Sequence, residues 1–124
     1  MNDPVSTLVH DIAAGRGISP GVYGEQVELD ATVPGWRFHR RGPDAVRAEL
    51  GHWFADAGHF DELSRTPLPD GELVTFTLHW VEQGVPHAAR QAHVLTVADG
   101  RIVRHTAWCG GRWDAGRLAE MSGA

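Results

Sequence analysis

Apolar and polar positions alternate most regularly in the second half of the chain. Residues 73–81, 87–97 and 101–109 each read as a long strand, rich in β-branched and aromatic side chains. Gln83-Gly84 suits a two-residue hairpin turn between the first two. Ala98-Asp99-Gly100 suits a three-residue loop with glycine at the left-handed position. Upstream, Asp3-Pro4 reads as an N-cap followed by proline at the first helical position. The short helix it opens buries Leu8 and Ile12 and stops at Gly15. Ser19-Pro20 opens one further turn ending near Tyr23. Residues 27–33 alternate as a strand, Pro34-Gly35 breaks it, and Trp36-Arg37-Phe38 starts another short extended piece. Gly42-Pro43-Asp44 launches a second helix whose apolar stripe is Val46, Leu50, Trp53, Phe54 and Ala57, with Gly58 as its stop. Residues 60–65 form an edge strand before a loop at Pro67 and Pro69. Helix, strand, helix, then antiparallel meander predicts an α+β fold in one domain, residues 1–124, with the helices on one face of a curved sheet.

The two turns set a register. The first hairpin pairs Val74 with His93, Phe76 with Gln91, Leu78 with Ala89 and Trp80 with His87. The second pairs His93 with His105, Gln91 with Ala107 and Ala89 with Cys109. Both put the same residues of the middle strand on one face, and a one-residue slip in either would break that agreement. That face is apolar except for a cluster of Gln91, His93 and His105, in which the two imidazoles are expected to touch. The opposite face carries Thr75, Thr77, Arg90, Thr106 and Trp108, with Arg90 set against Trp108 for a cation–π pair. An exposed tryptophan on an open sheet predicts a homodimer contact there.

Composition narrows the chemistry. All 11 basic side chains of the Lys+Arg count are arginines, so there is no lysine for a Schiff base or for a P-loop. One cysteine excludes an internal disulfide, a CxxC pair and a cysteine-rich zinc site. A formal charge of −5 with scattered arginines argues against nucleic acid. No apolar run is long enough to span a membrane, and the N-terminus lacks the basic start and apolar core of a signal peptide, so a soluble cytoplasmic protein is expected. Proton chemistry near neutrality is left to His, Asp, Glu or Cys109. Burial and mutual closeness disfavour the charged forms of His93 and His105, leaving at least one neutral. They are either core histidines satisfied by each other and by Gln91, or a pocket acid–base pair; the small neighbours Ala89 and Ala107 leave space for the second. His87 and His93 lie too far apart along one strand to share an ion, and His93 with His105 lacks an obvious third ligand, so neither a metal nor a cofactor is expected. Strict alternation turns Asp30 outward; a bulge before Pro34 would turn it in.

Three stretches, VYGEQVELDATVPGW, RRGPDAVRAELGHWF and LVTFTLHWVEQGVPHAARQAHVLTVADGRIVRHTAWCGGRW, together resemble the nuclear transport factor 2-like superfamily, in particular SnoaL-like and ketosteroid-isomerase-like proteins. The resemblance covers most of the chain. It implies a cone-shaped α+β barrel, with helices packed in the concave face of a curved, mainly antiparallel sheet, a deep pocket between them, and dimers packed sheet to sheet. The base carboxylate of ketosteroid isomerases would fall on Asp30 or Ala31, and their oxyanion-hole acid on His93. Their oxyanion tyrosine has no counterpart, because the single tyrosine, Tyr23, follows the first helix.

The combined expectation is a cofactor-independent enzyme doing proton-transfer chemistry on a small apolar metabolite, polyketide-like in the SnoaL-like case. His93 is its acid or base and His105 sets the tautomer of His93. Gln91 orients substrate, as does Asp30 if it faces inward, and Trp36, Trp53, Phe76, Trp80 and Cys109 line the site. The alternative is a non-catalytic ligand-binding or dimeric interaction module, since fold does not determine function.

Overall fold

The computed structural model describes residues 3–123. In chain order the elements are α1 (Pro4–Ala14), β1 (Tyr23–Val33), β2 (Trp36–Arg41), α2 (Pro43–Trp53), β3 (Gly58–Leu68), β4 (Gly71–Glu82), β5 (Val85–Ala98), β6 (Arg101–Asp114) and α3 (Ala115–Met121). The strands form one six-stranded sheet in the order β2-β1-β6-β5-β4-β3. Only β1 and β6 run parallel; the other neighbours are antiparallel. This is the cone-shaped α+β arrangement. α1 lies over β3 and β6, α2 over β1 and β2, and the core fills the space between helices and sheet.

α1 begins and ends where the capping chemistry says. The Asp3 carboxylate accepts the Val5 N–H, Pro4 occupies the first turn, and Gly15 closes the helix in the left-handed conformation (φ 67°). Its inward stripe is Leu8, Asp11 and Ile12. Ser19-Pro20 opens only a turn, and Tyr23 already begins β1. α2 stops at Trp53, short of Gly58, and Ala57 lies outside it. The chain after the helix lays residues 55–57 across Gly15, an approach that only glycine permits, since a Cβ there would collide with the backbone of Asp56 and Ala57. β3 is the predicted edge strand but longer, absorbing Pro67, which an edge tolerates. The extension of β6 to Asp114 and the short α3 were not anticipated from the pattern.

The first hairpin has the expected register, with Val74 opposite His93 and Trp80 opposite His87. The second does not. Asp99 and Gly100 both have positive φ (53° and 74°), forming a two-residue turn that pairs Ala98 with Arg101. An extra residue, Val103, then bulges out of β6 between the Val97–Ile102 and Thr96–Arg104 pairs. The two one-residue changes add. His93 lies opposite Ala107 and His105 opposite Leu95, two residues from the expected pairing. An even shift keeps every side chain from Arg104 to Cys109 on its expected face, so His105 still points inward, diagonal to His93.

Candidate functional site

A cavity of about 630 Å³ opens between α2, the segment after it, and the inner faces of β4, β5 and β6. Its apolar walls include Trp53, Phe54, Leu78, Trp80 and Ala89. Its polar groups include Gln91, Cys109, His52, Asp56, Glu82 and Arg112. The volume is within the range of small-molecule sites. The Cys109 end of the cavity is shaped by a second bulge in β6, where Gly110 and Gly111 together face the single residue Arg90 between the Gln91–Cys109 and Ala89–Arg112 pairs. Gly111 has a φ of 125°, and a Cβ there would press on the Trp113 and Pro34 rings. At the rim, Glu82 is ion-paired with Arg112 and accepts from Trp80 Nε1 at 3.2 Å. These contacts, the Trp80 hydrogen bond first, hold the Glu82 carboxyl below its usual range.

Behind the wall runs a line of buried polar side chains. Gln91 Oε1 meets His93 Nε2 at 2.8 Å, His93 Nδ1 meets His105 Nε2 at 2.7 Å, and His105 Nδ1 meets the Tyr23 hydroxyl at 2.8 Å. The diagonal register brings the imidazoles together as effectively as direct opposition would, because both side chains are long enough to reach. Phe76 stacks on His93 at 5.4 Å between ring centroids, and Tyr23 stacks on His105 at 5.9 Å. No buried side-chain nitrogen or oxygen among the described residues lacks a partner. Burial lowers the His93 pKa to about 4, and burial together with the charge of His93 pushes His105 well below 6.5. Burial, with Asp11 nearby, raises Tyr23 well above its ordinary value. Near neutrality all three are uncharged.

The predicted site residues therefore divide. Gln91, Trp53, Trp80 and Cys109 line the cavity. His93 and His105 are together, as expected, but fully buried behind Gln91 rather than on the wall. Phe76 packs behind the wall against His93. Trp36 is not a lip of the cavity: it sits at the start of β2 with 69% of its surface exposed. Asp30 faces outward, because β1 alternates without a bulge there and buries Val27, Leu29 and Ala31. Its carboxylate takes Arg37 Nε at 2.9 Å and Nη2 at 2.7 Å, with His39 Nε2 at 3.6 Å. Arg90 does not meet Trp108, because the two-residue shift of this hairpin sets Ala92 opposite Trp108, and Arg90 turns to Glu62 at 3.7 Å instead.

Two contributors were missed. Tyr23 joins the line because β1 pairs in parallel with β6, and nothing local announces a partner 82 residues away in sequence. Asp56 reaches the cavity from the segment after α2, whose backbone packs closely on Gly15. Among the described residues no group of three or more His, Cys, Asp or Glu side chains is placed to hold a metal ion. No helix is long and apolar enough to cross a membrane.

Comparison with known proteins agrees with this geometry. A hypothetical protein with a ketosteroid isomerase-like fold from Catenulispora acidiphila, solved with trimethylamine, superposes with a TM-score of 0.62 at 13% identity, covering 99% of this chain and 94% of that one. A protein provisionally described as an isomerase from Rhodopseudomonas palustris gives 0.64 at 12% identity, with 100% and 99% covered. An NTF2-like protein of unknown function from Mesorhizobium loti gives 0.61 at 22% identity, with 87% and 84% covered. At these identities the likeness is one of fold. No curated protein matched. The family model for the SnoaL-like domain matches residues 20–105, from the turn before β1 to His105 itself, and the chain belongs to that family.

Proposed function

We propose that this protein is an enzyme that uses its own side chains for proton transfer on a small, mainly apolar metabolite, in an isomerisation, cyclisation or dehydration. The observation that carries this reading is a ligand-sized cavity with apolar walls whose one buried polar group, Gln91, is backed by two neutral histidines. A polyketide-like ring system fits the volume and the aromatic walls. The provisional naming of two similar folds as isomerases supports the reaction class.

The roles follow from proton affinity. With a pKa of about 4, His93 is a weak base at neutral pH and serves as a neutral donor, polarising the Gln91 amide from behind. Of the two carboxylates on the cavity, Glu82 is held by Arg112 and Trp80, whereas Asp56 has no ion-pair partner among the described residues. In the proposed step a substrate C–H proton moves to Asp56. The electron pair shifts to an unsaturated group held at Gln91, and the proton returns at another atom. Positioned acid–base catalysis of this kind is worth about 10²–10⁴-fold.

The test starts from the small molecules the protein itself retains. Metabolites that copurify with it are identified by mass spectrometry and returned to it in deuterated water. Protein-dependent uptake of deuterium, abolished in Asp56→Asn and slowed in His93→Ala and His105→Ala, is expected. A metabolite that binds without exchange or conversion supports a second reading, a ligand-binding module, which the complete burial of both imidazoles favours.

A homodimer through the outer sheet face belongs to the same proposal. Trp108 is 44% exposed there, beside half-buried Thr75, Thr77 and Thr106. A monomer in sedimentation at micromolar concentration removes it.

A further inference from the structure

The hydrogen bonds between Tyr23 and Gln91 have a direction, and the direction can be counted. A neutral imidazole donates from one ring nitrogen and accepts at the other. Each of the three contacts therefore holds one proton, and the choice made at one end decides all the rest. Tyr23 is 2% exposed, and among the described residues its hydroxyl has one partner, His105 Nδ1. Asp11, the carboxylate whose charge Tyr23 feels, instead accepts the backbone N–H of Ser19 at 2.8 Å. If His105 donated to the tyrosine oxygen, the phenolic proton would be buried with no acceptor, an arrangement native cores avoid. So Tyr23 donates to His105 Nδ1, His105 Nε2–H donates to His93 Nδ1, and His93 Nε2–H donates to Gln91 Oε1.

The far end agrees independently. Gln91 Nε2 donates to Cys109 Sγ at 3.5 Å, while the thiol is directed at the Gly111 carbonyl at 3.8 Å. A thiol that gives its proton to Gly111 accepts from the amide, which requires the nitrogen of Gln91, not its oxygen, on that side. The amide has two N–H donors. Cys109 takes one, the other has no partner among the described residues, and Gln91 borders the cavity.

We propose that Tyr23 is a positioning residue that sets the polarity of the whole line, locking Gln91 with an N–H toward the cavity, so that the site selects ligands bearing a hydrogen-bond acceptor (a ketone, ester or carboxylate oxygen) and discriminates against donor-only ligands. The choice of ligand class rests on the cavity being a ligand site; the polarity of the line does not.

The polarity is read first, in ligand-free protein labelled with nitrogen-15. Long-range proton–nitrogen correlation spectra at neutral pH are expected to show His93 and His105 both protonated at Nε2 and bare at Nδ1. A proton on Nδ1 of either ring overturns the proposal. In Tyr23→Phe only the long thiol contacts at the far end still favour this direction, so the Nδ1–H tautomers become populated and the Gln91 amide signals double or broaden; unchanged tautomers in a folded variant mean that Tyr23 is not the source. Should Tyr23→Phe not fold, Gln91→Glu serves, because it keeps the acceptor for His93 and deletes the donor to the cavity. The ligand class is read with two probes at millimolar concentration, the acceptor-only 2-cyclohexenone and the donor-only indole. The ketone is expected to shift the Gln91 amide signals and to bind about tenfold more tightly than indole, a preference lost in Gln91→Glu. Equal binding overturns the selectivity. No binding of either probe overturns the ligand assignment and the cavity reading together, while the tautomers stand or fall by themselves.

Discussion

Two groups of titratable side chains flank the same strand, and they have little in common. On the inner side of the sheet, Tyr23, His105, His93 and Gln91 form a single line of short hydrogen bonds without a net charge, sealed from solvent. On the outer side, Asp30 and Arg37 form an ion pair in water, with the His39 ring beside it. Leu29 lies opposite His105 and Asp30 opposite Thr106, so one residue along β1 separates the two environments. Inside, desolvation dominates and drives the histidines neutral. Outside, the Arg37 hydrogen bond dominates and keeps Asp30 ionised below the usual carboxylate range. Histidine belongs to both groups, in a hydrogen-bonded scaffold on one face and beside a screened ion pair on the other.

The largest expected effect tests that contrast directly. His105→Ala removes packing and leaves the Tyr23 hydroxyl and His93 Nδ1 without partners, for a loss of about 3 kcal/mol in urea unfolding. Asp30→Asn is expected to leave the urea midpoint nearly unchanged. Comparable losses for the two variants would break the comparison.

Acid separates them by window. His93 and His105 have native pKa values below the unfolded value, so the native state binds fewer protons. Their contribution is fully present above pH 6.5 and is lost as pH falls from 6.5 toward about 4, at up to about 1.4 kcal/mol per pH unit for each ring. Asp30, with its pKa lowered from 3.8, contributes above that value and loses its contribution only as pH falls further. Chemical denaturation across the acid range is expected to show the upper limb flattened in His93→Gln and untouched in Asp30→Asn.

Binding gives the next contrast. Gln91→Leu is expected to weaken a ketone probe about tenfold, the worth of one buried hydrogen bond, while Asp30→Asn leaves it unchanged by titration. The smallest difference concerns two tryptophans both expected from the sequence to line the site. Trp53→Ala enlarges the cavity and alters probe binding, whereas Trp36→Ala, at an exposed position, does not.

Much of this molecule was legible in the order of its residues. Asp3-Pro4 and Gly15 bound α1, alternation around Phe76, Gln91 and Ala107 defines the inner face, and Gln83-Gly84 sets the first hairpin; all are local, governed by capping, pleat and turn chemistry. The outward turn of Asp30 also follows from alternation alone. The second hairpin was not legible, because a turn one residue shorter and a bulge at Val103 have no strong local signature. Its face survived only because the two changes sum to an even number.

What the sequence determined by itself is therefore the inventory and the facing: no lysine, one tyrosine, one cysteine, and two histidines on the inner, apolar face of the sheet. Tertiary structure decided the partners. Parallel pairing of β1 with β6 delivered Tyr23 to His105, the diagonal register set His105 against His93, and the segment after α2, packed on Gly15, brought Asp56 to the cavity. The physical reason is range. Facing depends on a two-residue period that any short stretch carries, whereas the direction of a buried hydrogen-bond line depends on which groups remain without partners once every strand has found its neighbour.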